Sequence, residues 1–421
     1  MGQSGVRRLA ARSGRRLERQ SPLAWAVRGG LAVAALALGY GSTTRTLAFV
    51  LAKTNAQQAH ALAPGDGRVA GELAEQIITR NPDGPLRNRG RGLAQQALAD
   101  EALAAPALTA LALDAQLSGR TADARRLFRH ANAVSRRDFG TRLWLIEDAV
   151  NSGDIARALD YYDIALRTSK AAPEVLYPVL SEAIGDPRIA DALTDRLVRW
   201  RPPWGQVFVV HLTGTGAGPD VDAAFLRRLT RRGYPVPEIA QVAVVDALVN
   251  TGRLDDAWSY YATFRKGIAR TGSRDPQFRA PSAHPSVLDW KPSENEAGIT
   301  ALIQDGAGGG VFEFAAPASV GGTVLQQMQL LPPGRYRIAG VSSNIASDAD
   351  AQPYWQLECG DGRNAGRVEL PASSVNGGRF TGEVVVPANC PVQMLRLVVR
   401  PSSGVGGTSG RIDTVALTPV G

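Results

Sequence analysis

Residues 117–131 read LSGRTADARRLFRHA and residues 151–165 read NSGDIARALDYYDIA, and laying one on the other gives a period of 34. Gly119 falls on Gly153, Ala124 on Ala158, Phe128 on Tyr162 and Ala131 on Ala165. Offsets of 5, 9 and 12 from the glycine put the three later positions on one helical face. The frame returns at Asn250-Thr251-Gly252 with Ala257 and Tyr261. Gly185 and Gly218 lie between, so the glycines are spaced 34, 32, 33 and 34 residues apart. Each is expected where a first helix ends and the chain turns into a second, a place that needs a left-handed backbone. A fixed period in this range is the mark of a helical solenoid.

Small residues at the close helix contact, with an aromatic one turn later, resemble the tetratricopeptide repeat family over about residues 55–270, most closely at 106–135 and 139–169. The repeats at Gly185 and Gly218 lack the aromatic. Most of the tryptophan-leucine-glycine and tyrosine positions of the first helix are absent, and Trp144 does not restore them. The resemblance implies a concave surface that binds protein partners; the alternative is a spacer that holds the C-terminal part away from a membrane. Trp200-Arg201-Pro202-Pro203-Trp204 reads as a turn with packed tryptophans. In Tyr161-Tyr162 and Tyr260-Tyr261 one tyrosine of each pair is expected to pack inward. The run Ser135-Arg136-Arg137-Asp138 reads as a helix end with cations at its C-terminus.

Upstream of the repeat, the charge decides the reading. The chain of 421 residues has a net charge of +8. Residues 1–53 hold nine basic groups (Arg7, Arg8, Arg12, Arg15, Arg16, Arg19, Arg28, Arg45 and Lys53) against Glu18, which already gives +8. The remaining 38 basic and 38 acidic residues cancel (47 − 9 and 39 − 1), so no basic domain is left for a nucleic acid. Six of those arginines precede an apolar run, and a transmembrane helix is expected over 22–42, with 1–21 cytoplasmic and the bulk of the chain in the periplasm of a bacterial inner-membrane protein. A cleaved signal peptide is the competing reading, but no small-x-small site follows the apolar core closely. Cys359 and Cys390 are the two cysteines, and export lets them pair; two buried free thiols are the alternative.

Beyond a linker over 271–284, the composition shifts to short alternating segments over 285–421. Val311–Phe314, Thr323–Leu330, Gly334–Val341, Tyr354–Glu358, Arg379–Val386, Met394–Arg400 and Arg411–Leu417 are strand candidates, and their spacing predicts an antiparallel sandwich or jelly roll. Residues 326–330 running through Pro332-Pro333 into 334–338, with the closing strand 410–417, resemble galactose-binding-like jelly rolls, the fold of many carbohydrate-binding modules. That resemblance implies glycan candidates: Trp290, Arg337, Asn344, Tyr354, Trp355 and Gln356. Strand alternation puts Tyr354 and Trp355 on opposite faces, so one of them is core.

Nothing in the sequence marks an enzyme. His60, His130, His211 and His284 have no metal-ligand spacing, and no cofactor or metal is expected. The glycine clusters at 214–218 and 306–310 lack the strand–loop–helix context and the lysine of a phosphate loop. Asp255-Asp256, Asp348 and Asp350 read as helix-start and loop residues. The order anchor, repeat array, jelly roll resembles single-span bacterial envelope proteins of cell-surface polysaccharide export or assembly. That resemblance implies a scaffold binding envelope protein partners through the repeats. A stalked glycan-binding module is the alternative, and a polysaccharide-modifying enzyme the third.

Overall fold

A computed structural model describes residues 22–279, 282–293, 298–306, 309–345, 351–402 and 406–420. The expected cytoplasmic segment 1–21 and the loop acids Asp348 and Asp350 lie outside the described residues. The chain divides into two compact units, Met1–Ser169 and Lys170–Gly421.

The first unit is helical. After α1 (Pro22–Leu51) and α2 (Ala56–Leu62) come three hairpins: α3 (Gly67–Arg80) with α4 (Leu86–Asp100), α5 (Ala105–Leu117) with α6 (Thr121–Val134), and α7 (Phe139–Asn151) with α8 (Ile155–Thr168). The repeat frame explains the turns. Gly119 and Gly153 both have φ of 73°, and behind each the chain closes a helix-ending bond, Arg120 N to Ala115 O and Asp154 N to Ala149 O, both 2.9 Å. The shared face is core: Ala124, Phe128 and Ala131, like Ala158, Tyr162 and Ala165, are buried. Phe128 also stacks on Trp144 of the next pair, centroids 4.3 Å apart.

α1 does not stop at Ser42. Thr43, Thr44 and Thr46 return their hydroxyls to the carbonyls of Gly39, Tyr40 and Ser42 at 2.8–2.9 Å, so the polar run stays helical. Ala48 of its last turn and Ala52 just past its end then pack on Ala59, Ala63 and Val69. Among the described residues no helix is long and apolar enough to cross a membrane. In α1, Arg28, four glycines and the run 42–46 dilute the apolar stretch on which the expected span over 22–42 rested.

The second unit opens with three more hairpins: α9 (Ala172–Ala183) with α10 (Pro187–Trp200), α11 (Gly205–Thr215) with α12 (Pro219–Arg231), and α13 (Glu238–Asn250) with α14 (Leu254–Phe264). Gly252 (φ 75°) ends α13 as the frame expects. Gly185 has no positive φ, and Gly218 (φ 133°) begins α12 instead of ending a helix, so two of the five glycines do not play the expected part. Trp204 is buried against Phe208, but Trp200 is 66% exposed and is not the packed residue expected. Tyr260 and Tyr261 are both buried, where one was expected: Tyr260 lies under the Arg227 guanidinium and Tyr261 donates to Asp289.

A β-sandwich follows, made of β1 (Lys291–Pro292), β2 (Thr300–Gly306), β3 (Gly309–Ala316), β4 (Gly322–Gln329), β5 (Gly334–Ser343), β6 (Tyr354–Cys359), β7 (Asn364–Glu369), β8 (Arg379–Val386), β9 (Gln393–Val399) and β10 (Thr408–Pro419). Two five-stranded antiparallel sheets, ordered β1-β4-β9-β6-β7 and β2-β3-β10-β5-β8, enclose a core that includes Phe312, Ile338, Trp355, Leu357, Leu395 and Val415. Alternation supplies it: every second residue of β9, from Gln393 to Val399, is buried. Cys359 and Cys390 form the disulfide. Of the stretch 271–284, expected as a linker, residues 271–279 already belong to this fold. Phe278 is in the sandwich core, and Ser273 exchanges hydrogen bonds with Leu417. A Cβ at Gly310 would collide with the Phe278 carbonyl, so glycine is what lets that segment lie on β3.

Candidate functional site

Where α14 gives way to the sandwich, the second unit holds a cavity of about 740 Å³. Tyr261, Phe264 and Arg265 wall it from the helical side, Lys266 and Ile268 from the turn after α14, Asp275 and Asp289 from the connecting segment, and Trp290, Leu302, Ile303 and Gln327 from the sandwich side. The volume falls in the range of small-molecule pockets, and the walls mix aromatic and polar side chains.

The polar walls are bonded to one another. Asp289 accepts from the Tyr261 hydroxyl at 2.7 Å and from Ser286 N and Oγ at 2.9 and 2.7 Å, with Arg265 beside it. Burial by itself would raise the Asp289 pKa, but those hydrogen bonds and Arg265 outweigh it and hold the carboxyl below its usual range. Burial pushes the Tyr261 hydroxyl up, so it stays a neutral donor. Arg265 pairs in turn with Glu238 at 2.8 Å. Arg274, also in the lining, is buried with no carboxylate ion pair among the described residues. Its guanidinium donates to the Leu288 carbonyl at 2.7 and 2.9 Å, to Gln329 Oε1 at 3.0 Å and to the Met328 carbonyl. Burial pushes its pKa down to about 10, so it is still a cation at neutral pH. Lys266, also in the lining, is exposed and has no ion pair among the described residues.

The six glycan candidates do not come together. Trp290 lines the cavity, but it is almost wholly buried, donating to the Asp275 carbonyl at 3.0 Å and touching Phe278 and Trp355. Trp355 is sandwich core. Tyr354 lies on the outer face of the sheet, but Arg367 and Arg400 stand 4.8 and 4.7 Å from its ring centroid and both pair with Glu369. That ring is already covered. Gln356 donates to Glu358, which also holds Arg396. Arg337 belongs to the other sheet and pairs with Glu383, and Asn344 sits beyond the end of that strand in a left-handed conformation. Alternation separated Tyr354 from Trp355 in the sequence; what the sequence could not show was which side chains were already engaged. The sequence reading took Tyr261 only as a packing residue and passed over Arg265, Lys266 and Asp289, which carry no motif or period that would mark them.

A second feature of this unit lies on its helices. Leu176, Phe208 and Ala240, each 32 residues from the next (208 − 176 and 240 − 208), are buried at equivalent positions of α9, α11 and α13. The residues just before them are not. Val175, Val207 and Ile239 are 44%, 60% and 42% exposed, with Val179 and Val210 also exposed. Because α11 contacts both α9 and α13, these side chains form an apolar stripe across three neighbouring helices.

Among the described residues no group of His, Cys, Asp and Glu is placed to hold a metal ion. No protein-family model matches the chain. No curated protein matches it either. Among solved structures it is similar to the enzymatically active domain of tailspike protein 4 of bacteriophage CBA120, with 13% identity over 36% of this chain and 22% of that one, at a TM-score of 0.26. A structure described as "CBM4 structure and function" shares 16% identity over 35% of this chain and 99% of that one, TM-score 0.25. A glycosylation-associated protein complex from Streptococcus agalactiae shares 13% over 28% and 39%, TM-score 0.20. Likeness at this level carries no statement about function.

Proposed function

We propose that this protein is a membrane-anchored scaffold of the bacterial envelope, without catalytic activity, that docks a protein partner on its helix pairs in the assembly or export of a surface polysaccharide. The observation that carries the reading is the stripe of Val175, Val207 and Ile239. Three β-branched side chains repeated in register on adjacent helices, with the next residue of each helix buried, are a surface that gains by being covered. A pure spacer has no use for it. The repeat character that the sequence shares with tetratricopeptide proteins fits the same role.

Anchoring rests on α1. Leu23, Trp25, Leu31, Val33, Leu36, Leu38 and Tyr40 are all exposed along it, with six arginines just ahead in the sequence. A bilayer would cover these side chains with Arg28 snorkelling to the basic side. The Cys359–Cys390 disulfide supports an oxidising compartment for the sandwich.

Photo-crosslinking in cells tests the docking. A photoreactive side chain at position 175 or 239 is expected to give one discrete adduct, lost when Val207→Glu is added. Absence of an adduct at both positions overturns the scaffold reading.

The cavity favours a second reading, in which the seam holds a glycan between its aromatic and cationic walls. Affinity electrophoresis of the full chain through gels containing the host polysaccharide should show retardation that Leu302→Trp, which fills the cavity, abolishes. Equal mobility with and without polysaccharide removes this reading and leaves the cavity as the joint between helices and sandwich.

A further inference from the structure

Asp114 lies in the last turn of α5 and is buried, and three arginines converge on it. Arg87 and Arg91 come from the first two turns of α4, and Arg120 from the turn that enters α6. Arg87 Nε donates to Asp114 Oδ1 at 2.9 Å, and its terminal nitrogens donate to the Pro82 carbonyl at 3.0 Å and to Ser118 Oγ. That one guanidinium already neutralises the buried carboxylate and fixes its position.

Arg91 and Arg120 exceed what Asp114 needs. Arg120 Nη2 stands 3.1 Å and Arg91 Nη1 3.6 Å from Asp114 Oδ2, so guanidiniums from two different elements flank a single oxygen. Their side chains are 50% and 40% exposed, whereas Asp114 beneath them is 1% exposed. Asn88 Oδ1 accepts from Arg91 Nη2 at 2.6 Å and ties it to its own helix. Asp123 lies 3.9 Å from Arg120 but also pairs with Arg126 at 3.1 Å. The first turn of α4 carries no acid, and Arg89 on that helix is exposed with no ion pair among the described residues. With Asp83 of the turn before α4 included, five arginines (87, 89, 91, 120 and 126) stand against three aspartates (83, 114 and 123), a surplus of two positive charges. Like charges held this close repel, and at half exposure water screens them only in part.

We propose that Arg91 and Arg120 form an anion site that takes the phosphate group of a phosphate monoester, on a base fixed by Asp114 and Arg87. The phosphate sits on the solvent side of the pair and accepts from guanidinium N–H groups turned away from Asp114; forked donors of this kind fit its oxygens. Its charge, close to two at neutral pH, matches the surplus, and a singly charged carboxylate leaves half of that surplus in place. Arg87 is a positioning residue, because it holds the carboxylate on which the other two are aligned. The site lies in Met1–Ser169, in a different unit from the apolar stripe and the cavity, and stands whether or not either of them binds a partner.

Isothermal titration calorimetry of the full chain with glucose 1-phosphate at pH 7.5 and low salt reads the site directly. Saturable binding is expected, and inorganic phosphate should bind within about threefold of the ester, since the phosphate is the group recognised. Glucuronate, a sugar with one carboxylate, should bind about tenfold more weakly. At pH 5, below the second phosphate pKa of about 6, the ester should bind about threefold or more weakly than at pH 7.5. Arg91→Gln and Arg120→Gln should each weaken binding about fivefold or more, while the far-UV circular dichroism persists because Asp114 keeps Arg87. Arg126→Gln removes a neighbouring cation outside the pair and should change the affinity less than about twofold, which separates a built site from general attraction. The proposal is overturned by no saturable binding, by glucuronate binding as tightly as the ester, by the ester binding where inorganic phosphate does not, or by Arg91→Gln and Arg120→Gln losing no more than Arg126→Gln.

Discussion

Asp222, on α12, is buried and its Oδ1 has no hydrogen-bond partner among the described residues. Burial, with Asp220 adding to it, lifts its pKa to about 7. The folded protein therefore holds this proton more tightly than the unfolded chain, whose aspartates titrate near 3.8. The sign follows: stability on this account is greatest below pH 3.8, falls as pH rises toward 7 and is level above it. Asp222→Asn should raise stability at pH 8 by about 1–2 kcal/mol, a figure discounted for partial solvent screening, and should change little at pH 4. Denaturant unfolding at the two pH values checks it. Arg142 poses the same problem with opposite charge: it is buried, and neither terminal nitrogen has a hydrogen-bond partner among the described residues. Arg142→Met keeps the volume and removes the charge, so it should raise the free energy of unfolding by about 1–3 kcal/mol. At this scale the sequence was least informative, because engagement of a side chain depends on residues far away in the chain. Trp355 and Tyr354 look equally available as letters; one is core and the other is covered by two guanidiniums.

At the scale of elements, the 34-residue frame separates glycines that are needed for their backbone from those that are not. Gly252 sits at φ 75° with open space where a Cβ would go, so Gly252→Ala should cost about 1 kcal/mol, from the left-handed conformation alone. Gly185→Ala, at a position without positive φ, should cost clearly less. Thermal denaturation of the two variants compares them. Helix hairpins and the inner strands were legible because burial on one face imposes a period of 3.6 or 2. The strands that went unread are two edge strands, β2 and β7, and the two-residue β1. In β7, running from Asn364 to Glu369, Val368 is the one buried residue, so there is no alternation to read.

For the whole molecule, the two units predict two calorimetric transitions. Cys359→Ser with Cys390→Ser should lower one of them and leave the other in place, because the disulfide lies wholly in Lys170–Gly421. A closed loop of 31 residues corresponds to about 3–4 kcal/mol on the chain-entropy account. A single transition that shifts as a whole would show that the units unfold together. Anchoring is checked by alkaline extraction: the full chain should stay with the membrane pellet, and a chain lacking residues 2–42 should be released.

The sequence by itself determined the order of helices before strands, the helical hairpins at the 34-residue period, the antiparallel β class and the placement of both cysteines in one domain. Each of these follows from local periodicity and composition. Only the tertiary structure decided that residues 271–279 are part of the sandwich, that α1 continues to Leu51 and packs, and that the seam encloses a cavity. Those facts depend on which distant groups meet and which polar atoms are left over. The register that lines up Val175, Val207 and Ile239 became visible only once Leu176, Phe208 and Ala240 were seen to be buried beside them.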